Sequence, residues 1–335
     1  MEGNAMDVLE IKNILESNYL LKIVSVEKVK NTFKIESEHE KYCIKIIKYD
    51  YPHFNFILSA INHLQKRGFN KIPEIIKTKD NSGFIKIGNN YAYLTEWVTS
   101  RLSNYDDIYE LGKITEKLGE LHKCSEGFVT NKDMNPRIGW FSWINVFETR
   151  CSEILDFKKR IDQKANKSNV DRLYLEAIDG ELQRGKRAIE DLKTEKYINI
   201  MEKEVMKRGF CHHDFAHHNI LIDTKEDINI IDFDYCILDS HLHDLSSLMI
   251  RTMKGGKWKP DIANLILNSY SKSNEVYDEE LNLMKSFIRF PQEFWQRGLQ
   301  YYWEQQPWSD EFLENKIRKY LEDVEQREVF IEEFF

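Results

Sequence analysis

Residues 211–245 read CHHDFAHHNILIDTKEDINIIDFDYCILDSHLHDL. Two short apolar runs, Ile220-Leu221-Ile222 and Ile230-Ile231, are flanked by polar residues, a pattern that predicts a small β-hairpin over 219–223 and 229–233. Asp214 and Asn219 stand on the loop entering the first strand, and Asp232 ends the second. A carboxylate, an amide oxygen and a second carboxylate converging there make a hard, oxygen-lined site suited to magnesium. Such an ion bridges and neutralises nucleotide phosphates, while a carboxylate outside its shell accepts the proton of an attacking hydroxyl.

Upstream of this segment, 21–29, 32–37 and 41–48 are short runs rich in Val, Ile and aromatics, which predict three strands. A helix follows over 54–66, from the spacing of Phe54, Ile57, Leu58, Ile61 and Leu64, with Gly68 placed to cap it and Pro73 just beyond. Two more strands, 84–87 and 91–98, are joined through Gly88-Asn89-Asn90. Helical apolar spacing marks 108–123, 143–159, 170–192, 262–271, 279–290 and 310–330. The hairpin is therefore embedded in a mostly helical region, and the class is α+β. Within 41–48, alternation puts Cys43 and Lys45 on one face and Tyr42, Ile44, Ile46 and Lys48 on the other.

The chain has 335 residues, enough for two sizeable cores, and its composition is globular: 41% hydrophobic, 31% charged, 14 Gly and 6 Pro. A net charge of −8 argues against nucleic acid as the main partner. Five scattered cysteines without CxxC pairing read as reduced thiols of an intracellular, cytoplasmic protein. The acidic, amphipathic start lacks the features of a signal peptide, and no stretch approaches the ~18 apolar residues of a membrane span. Six of the ten histidines fall within 212–243, which raises a zinc reading, but adjacent histidines in a strand or loop point apart.

The order H-x-D-x-x-x-x-N followed by I-D-F-D resembles the catalytic and metal-binding loops of the aminoglycoside phosphotransferase and choline kinase group. The resemblance implies a bilobal protein-kinase-like fold. Its small lobe, residues 1–98, would hold an antiparallel sheet and one helix. A larger helical lobe, 99–335, would hold the catalytic and metal loops and the acceptor site. It also implies ATP and Mg2+ as cofactors and a small-molecule hydroxyl acceptor. His212 stands at the group's structural histidine, His213 at its usual glycine, Asp214 at the catalytic base, and Asn219 and Asp232 at the metal ligands. Asp234 lies at a position often acidic, and Asp244 matches a structural anchor. The pieces YCIKIIKY, GFNKIP, YLTEWV, LGELH, IDFDYC, DLSSLMIR and FPQEFWQRGLQYYW together resemble the spore coat CotS family, kinase-fold proteins of spore-forming bacteria. That likeness implies a spore coat location and coat-protein partners.

By the same likeness Lys45 matches the lysine that contacts the α- and β-phosphates, with Lys48 as the alternative. YLTEWV resembles the hinge, where the main chain of Glu96 and Val98 would bond the adenine and Thr95 would gate the inner pocket. Two features depart from the group. The helix over 54–66 has no acidic residue to pair the lysine, and the expected phosphate-covering loop, 26–31, has no glycine. A second reading is therefore a catalytically degenerate kinase fold serving as a coat scaffold. In 290–308, Trp295, Leu299 and Tyr302 follow helical spacing and read as a buried helix face; the alternative is that Trp303 and Trp308, near a helix break, stack on an acceptor.

Overall fold

A computed structural model describes residues 8–335. By internal contacts the chain divides into two compact units. The first draws on the chain up to Asn104, on Cys124–Arg137 and on His212–Ile237; the second comprises Tyr105–Lys123, Ile138–Cys211 and Leu238–Phe335.

The first unit begins with α1 (Val8–Asn18), the hairpin β1 (Ile23–Val29) and β2 (Thr32–Ser37), and β3 (Lys41–Ile47). Then come α2 (Tyr51–Lys66), β4 (Ile75–Ile76), β5 (Ile85–Ile87), β6 (Asn90–Glu96) and β7 (Ser100–Leu102). The sheet is antiparallel, ordered β1-β2-β3-β6-β4, with β5 also on β6. Alternation gives it two unlike faces. Tyr42, Ile44, Ala92 and Leu94 join Ile11 and Leu15 of α1 in one buried cluster. Cys43, Lys45, Tyr93 and Thr95 are thereby turned to the opposite face.

Helix α2 starts three residues before the apolar spacing does, because its cap lies upstream. The Asp50 carboxylate accepts the His53 N–H, and Pro52 occupies the first turn, where a missing N–H costs nothing. The helix ends at Gly68, whose φ of +89° glycine adopts freely. The predicted hairpin is present as β8 (Ile220–Asp223) and β9 (Ile228–Ile230), and β7 adds a third strand against β8. Three exposed residues, Ser100, Arg101 and Leu102, make up β7, so no apolar pattern announces it.

The second unit is helical: α3 (Ile108–Ser125, all but its last two residues), α4 (Trp143–Asp162), α5 (Asn169–Leu192), α6 (Glu195–Lys207), α7 (Leu242–Met253), α8 (Pro260–Tyr270) and α9 (Asp278–Arg289). After these come α10 (Gln292–Gly298), continued by a π-helical turn Leu299–Trp303, then α11 (Asp310–Glu322) and α12 (Val324–Phe334). The single helix expected over 310–330 is two helices. Buried Asp323 ends α11 by accepting the N–H groups of Gly255 (3.0 Å) and Gly256 (2.8 Å) and the Trp258 indole N–H (2.7 Å). Helices α6 and α7 were not expected as elements.

Asp244 anchors the interior of this unit. The Tyr270 hydroxyl donates to His122 Nδ1 (2.6 Å), and His122 Nε2–H donates to Asp244 Oδ2 (3.2 Å). Burial would raise the Asp244 carboxyl, but the hydrogen bonds from His122 and His243 override it and hold it well below the usual range. Removing one partner of a buried, hydrogen-bonded charge costs about 3 kcal/mol or more. Asp244→Ala should therefore lower the melting temperature by several degrees, with unchanged nucleotide affinity measured below the transition. A variant melting like the parent would remove Asp244 from the anchoring role.

Candidate active site

All seven residues predicted for the site, Lys45, Thr95, Glu96, Val98, Asp214, Asn219 and Asp232, fall in the first unit. The loop between Cys211 and β8 is folded by local bonds. The Asp214 N–H donates to His212 Nδ1 (3.3 Å), which makes Nδ1 the acceptor and leaves Nε2–H to donate to the Ile231 carbonyl (2.9 Å). His213 has φ +68°, a left-handed conformation that glycine adopts freely and histidine tolerates.

Asn219, buried, turns its amide nitrogen back to the Asp214 carbonyl (2.9 Å) and to Asp214 Oδ2 (3.0 Å). Its side-chain oxygen is the atom that would serve a cation. The Asn219 carbonyl also accepts the Ile231 N–H (3.0 Å). Ile231 is thus held from both sides, by His212 and by Asn219, and the next residue is Asp232. Two hydrogen bonds on one residue therefore bring the Asp214–Asn219 pair beside Asp232. Asp232 has φ +70°, a strained choice for a non-glycine residue and a common one at functional sites.

On the sheet face opposite α1, Lys45 Nζ lies 2.6 Å from Asp232 Oδ1 and 3.1 Å from Asp234 Oδ1. The missing helix glutamate is thus replaced by carboxylates of the I-D-F-D segment. Burial would lower the Lys45 ammonium, but Asp234 and Asp232 override it and hold it raised. Burial pushes the Asp234 carboxyl up to about 6, against the pull of Lys45. Lys48, just past the end of β3, is exposed.

Asp232 Oδ1 and Asp234 Oδ1 are buried, and the Lys45 ammonium is the partner of both. Two carboxylates turned to one buried cation offer the hard oxygen donors that a divalent ion takes. The residues present fit magnesium, and Asp232, Asn219 and Asp234 are the ones that would hold it.

Thr95 is buried on β6, paired with Cys43 of β3 and Ile75 of β4. The Trp97 N–H donates to the Lys41 carbonyl (2.9 Å), so alternation turns the main-chain groups of Glu96 to the other edge, where β4 reaches only as far as Thr95. The Val98 carbonyl accepts the Ser100 hydroxyl (3.2 Å) as the chain enters β7. In place of a glycine-rich loop, β1 and β2 are joined by the two-residue turn Lys30-Asn31, with Lys30 at φ +51°. Lys28 and Lys30 are exposed there.

The histidines do not gather on one ion. His212 is spent on Ile231, and His217 and His218 are exposed. His241 Nδ1 lies 3.0 Å from Glu204 Oε2, and His243 Nδ1 lies 3.6 Å from Asp244. Trp303 and Trp308, in the second unit, are partly exposed, and the Trp303 indole N–H donates to Asp156 (2.9 Å). Sequence reading placed Asp234 only as a commonly acidic position; its ion pair with Lys45 is visible only in three dimensions.

A family model described as "Spore coat putative kinase YutH" matches residues 12–334. The chain belongs to that family. Spore coat protein S of Bacillus subtilis (strain 168) is 22% identical over 302 residues, covering 90% of this YutH-family chain and 85% of the relative. An aminoglycoside phosphotransferase from Alicyclobacillus acidocaldarius subsp. acidocaldarius DSM 446 superposes with a TM-score of 0.85 at 19% identity, covering 100% of this chain and 96% of that one. Spectinomycin phosphotransferase APH(9)-Ia, solved with ADP and spectinomycin, superposes at 0.69 with 15% identity, covering 98% of this chain and 99% of that one. The YutH-family chain therefore has the kinase-like fold of small-molecule phosphotransferases, and the resemblance to spore coat kinase-fold proteins holds. Among the described residues no helix is long and apolar enough to cross a membrane.

Proposed function

We propose that this YutH-family chain is an ATP- and magnesium-dependent phosphotransferase acting on a hydroxyl group of a small molecule, at or in the spore coat. The observation that carries the reading is the double tether on Ile231, which sets Asp214 and Asn219 beside an Asp232 ion-paired with Lys45. Residues 1–98 are taken as the lobe that covers the nucleotide, and residues 99–335 as the lobe that brings the catalytic and metal loops and the acceptor site.

The roles follow from chemistry. Asp214 accepts the proton of the attacking hydroxyl, and the Asn219 amide on its Oδ2 keeps that carboxylate oriented. Asn219 and Asp232, with Asp234 beside them, would hold the metal, which would supply positive charge to neutralise the phosphates. Lys45 orients the α- and β-phosphates, its charge held against burial by two carboxylates. Main-chain groups of Glu96 and Val98 receive the adenine, with Thr95 at the inner wall. The structural neighbour solved with ADP and spectinomycin supports a nucleotide and a small-molecule acceptor.

The glycine-free turn between β1 and β2 favours a second reading, a coat scaffold that kept the fold without transfer. Thermal denaturation separates the two. Millimolar ATP with magnesium should raise the melting temperature by several degrees, because a ligand that binds only the native state stabilises it by about 2.7 kcal/mol at a hundred times its Kd. No shift with either nucleotide or metal would leave the scaffold reading standing. A screen of hydroxyl metabolites with ATP and magnesium then identifies the acceptor.

A further inference from the structure

Arg137 lies just upstream of the second unit, in a segment pinned to α2. The Asn135 N–H donates to the Pro52 carbonyl (3.0 Å), and the His53 ring donates from Nδ1 to the Asn135 carbonyl (3.0 Å). Two residues on, the Arg137 guanidinium lies over the Tyr49 ring at 5.2 Å and over the Tyr235 ring at 5.3 Å. Its Nη2 donates to the Tyr49 hydroxyl (3.0 Å). Tyr235 directly follows Asp234, and the Arg137 charge is near enough to act on the Asp234 carboxyl.

Two buried arginines elsewhere have carboxylate partners: Arg184 meets Glu181 and Glu328, and Arg289 meets Asp191, Glu328 and Glu332. Arg137 is half-buried, yet among the described residues no carboxylate lies within ion-pairing distance of it. Of its five N–H donors, one serves the Tyr49 hydroxyl. A guanidinium held between two rings has lost its freedom already, so binding an oxyanion costs it little further ordering. Lys45 already meets two carboxylates, and Arg137 adds a second cation near Asp234 with donors to offer.

We propose that Arg137, through its tyrosine-clamped guanidinium, binds the oxygens of the terminal phosphate of the nucleotide. The inference rests on the kinase reading and deepens it. A planar fork suits phosphate oxygens, and a cation there stabilises the charge of the group in transfer. Arg137 thereby makes the site prefer ATP to ADP.

Calorimetric titration of the full chain with magnesium-ATP and with magnesium-ADP tests this. Arg137→Gln should cut the preference for ATP over ADP by about tenfold, as expected for losing a hydrogen bond to a charged group, and leave ADP affinity within about twofold. Tyr235→Leu keeps the charge but opens the clamp, and should reduce the same preference by a smaller factor. It also decides the matter if Arg137→Gln does not fold. An unchanged ATP-to-ADP ratio in the variants, or equal weakening of both nucleotides, overturns the inference while the kinase reading stands. A parent protein that binds neither nucleotide overturns both.

Discussion

Asp214→Asn is expected to lower turnover by about a hundredfold or more, the usual contribution of a positioned general base, while leaving nucleotide affinity nearly unchanged. The substitution preserves the loop. The Asp214 N–H still reaches His212 Nδ1, and the new side-chain oxygen can still accept the Asn219 amide that now bonds Oδ2. What disappears is the basic carboxylate. Initial rates with the screened acceptor, beside an ATP titration of the same variant, separate the two effects. Full turnover in Asp214→Asn would falsify the assignment of this residue as the base. A loss shared equally between binding and rate would instead mean that the loop had shifted.

Asp232→Asn should act on the other half of the site. The parent's nucleotide affinity should rise with magnesium, and the variant should lose that dependence. Changing a ligand's outer-sphere partner already costs about tenfold to a hundredfold in metal affinity, and changing the ligand costs at least that. Asp232 Oδ1 is also the nearer of the two carboxylate contacts of Lys45, at 2.6 Å against 3.1 Å for Asp234. The variant leaves Lys45 paired to Asp234, so metal-free nucleotide affinity should hold or improve as the ammonium becomes available to phosphate. Titrating ATP over a series of magnesium concentrations reads this directly. An unchanged magnesium response would move the metal to Asp234 and Asn219.

Spacing alone located the main parts. In 211–245 the apolar centres Ile220-Leu221-Ile222 and Ile230-Ile231 announce β8 and β9, and the polar residues at their ends supply the candidate site residues. Alternation in β3 turns Lys45 away from Ile44, and the fold obeys it because Ile44 is buried against α1. The cap of α2 was legible in Gly68, whose positive φ needs no partner elsewhere in the chain. Its start was less so, since Asp50 and Pro52 act before the apolar face begins. The break at Asp323 was not legible, because the groups that bury it, Gly255, Gly256 and Trp258, come from a remote part of the chain.

The sequence by itself determined the α+β class, the kinase-like order of elements, the hairpin and the seven candidate site residues. All of these are carried by local periodicity or by short motifs, which depend on neighbours a few residues away. Only the tertiary structure decided what pairs with Lys45, because the helix that usually supplies the partner has no acidic residue and the substitutes lie near position 233. It alone decided that Ile231 ties the two halves of the site, and that Arg137 stands clamped beside Asp234. Contacts between residues so far apart in the chain leave no period to read, and their energetic weight comes from burial, which only the folded chain supplies.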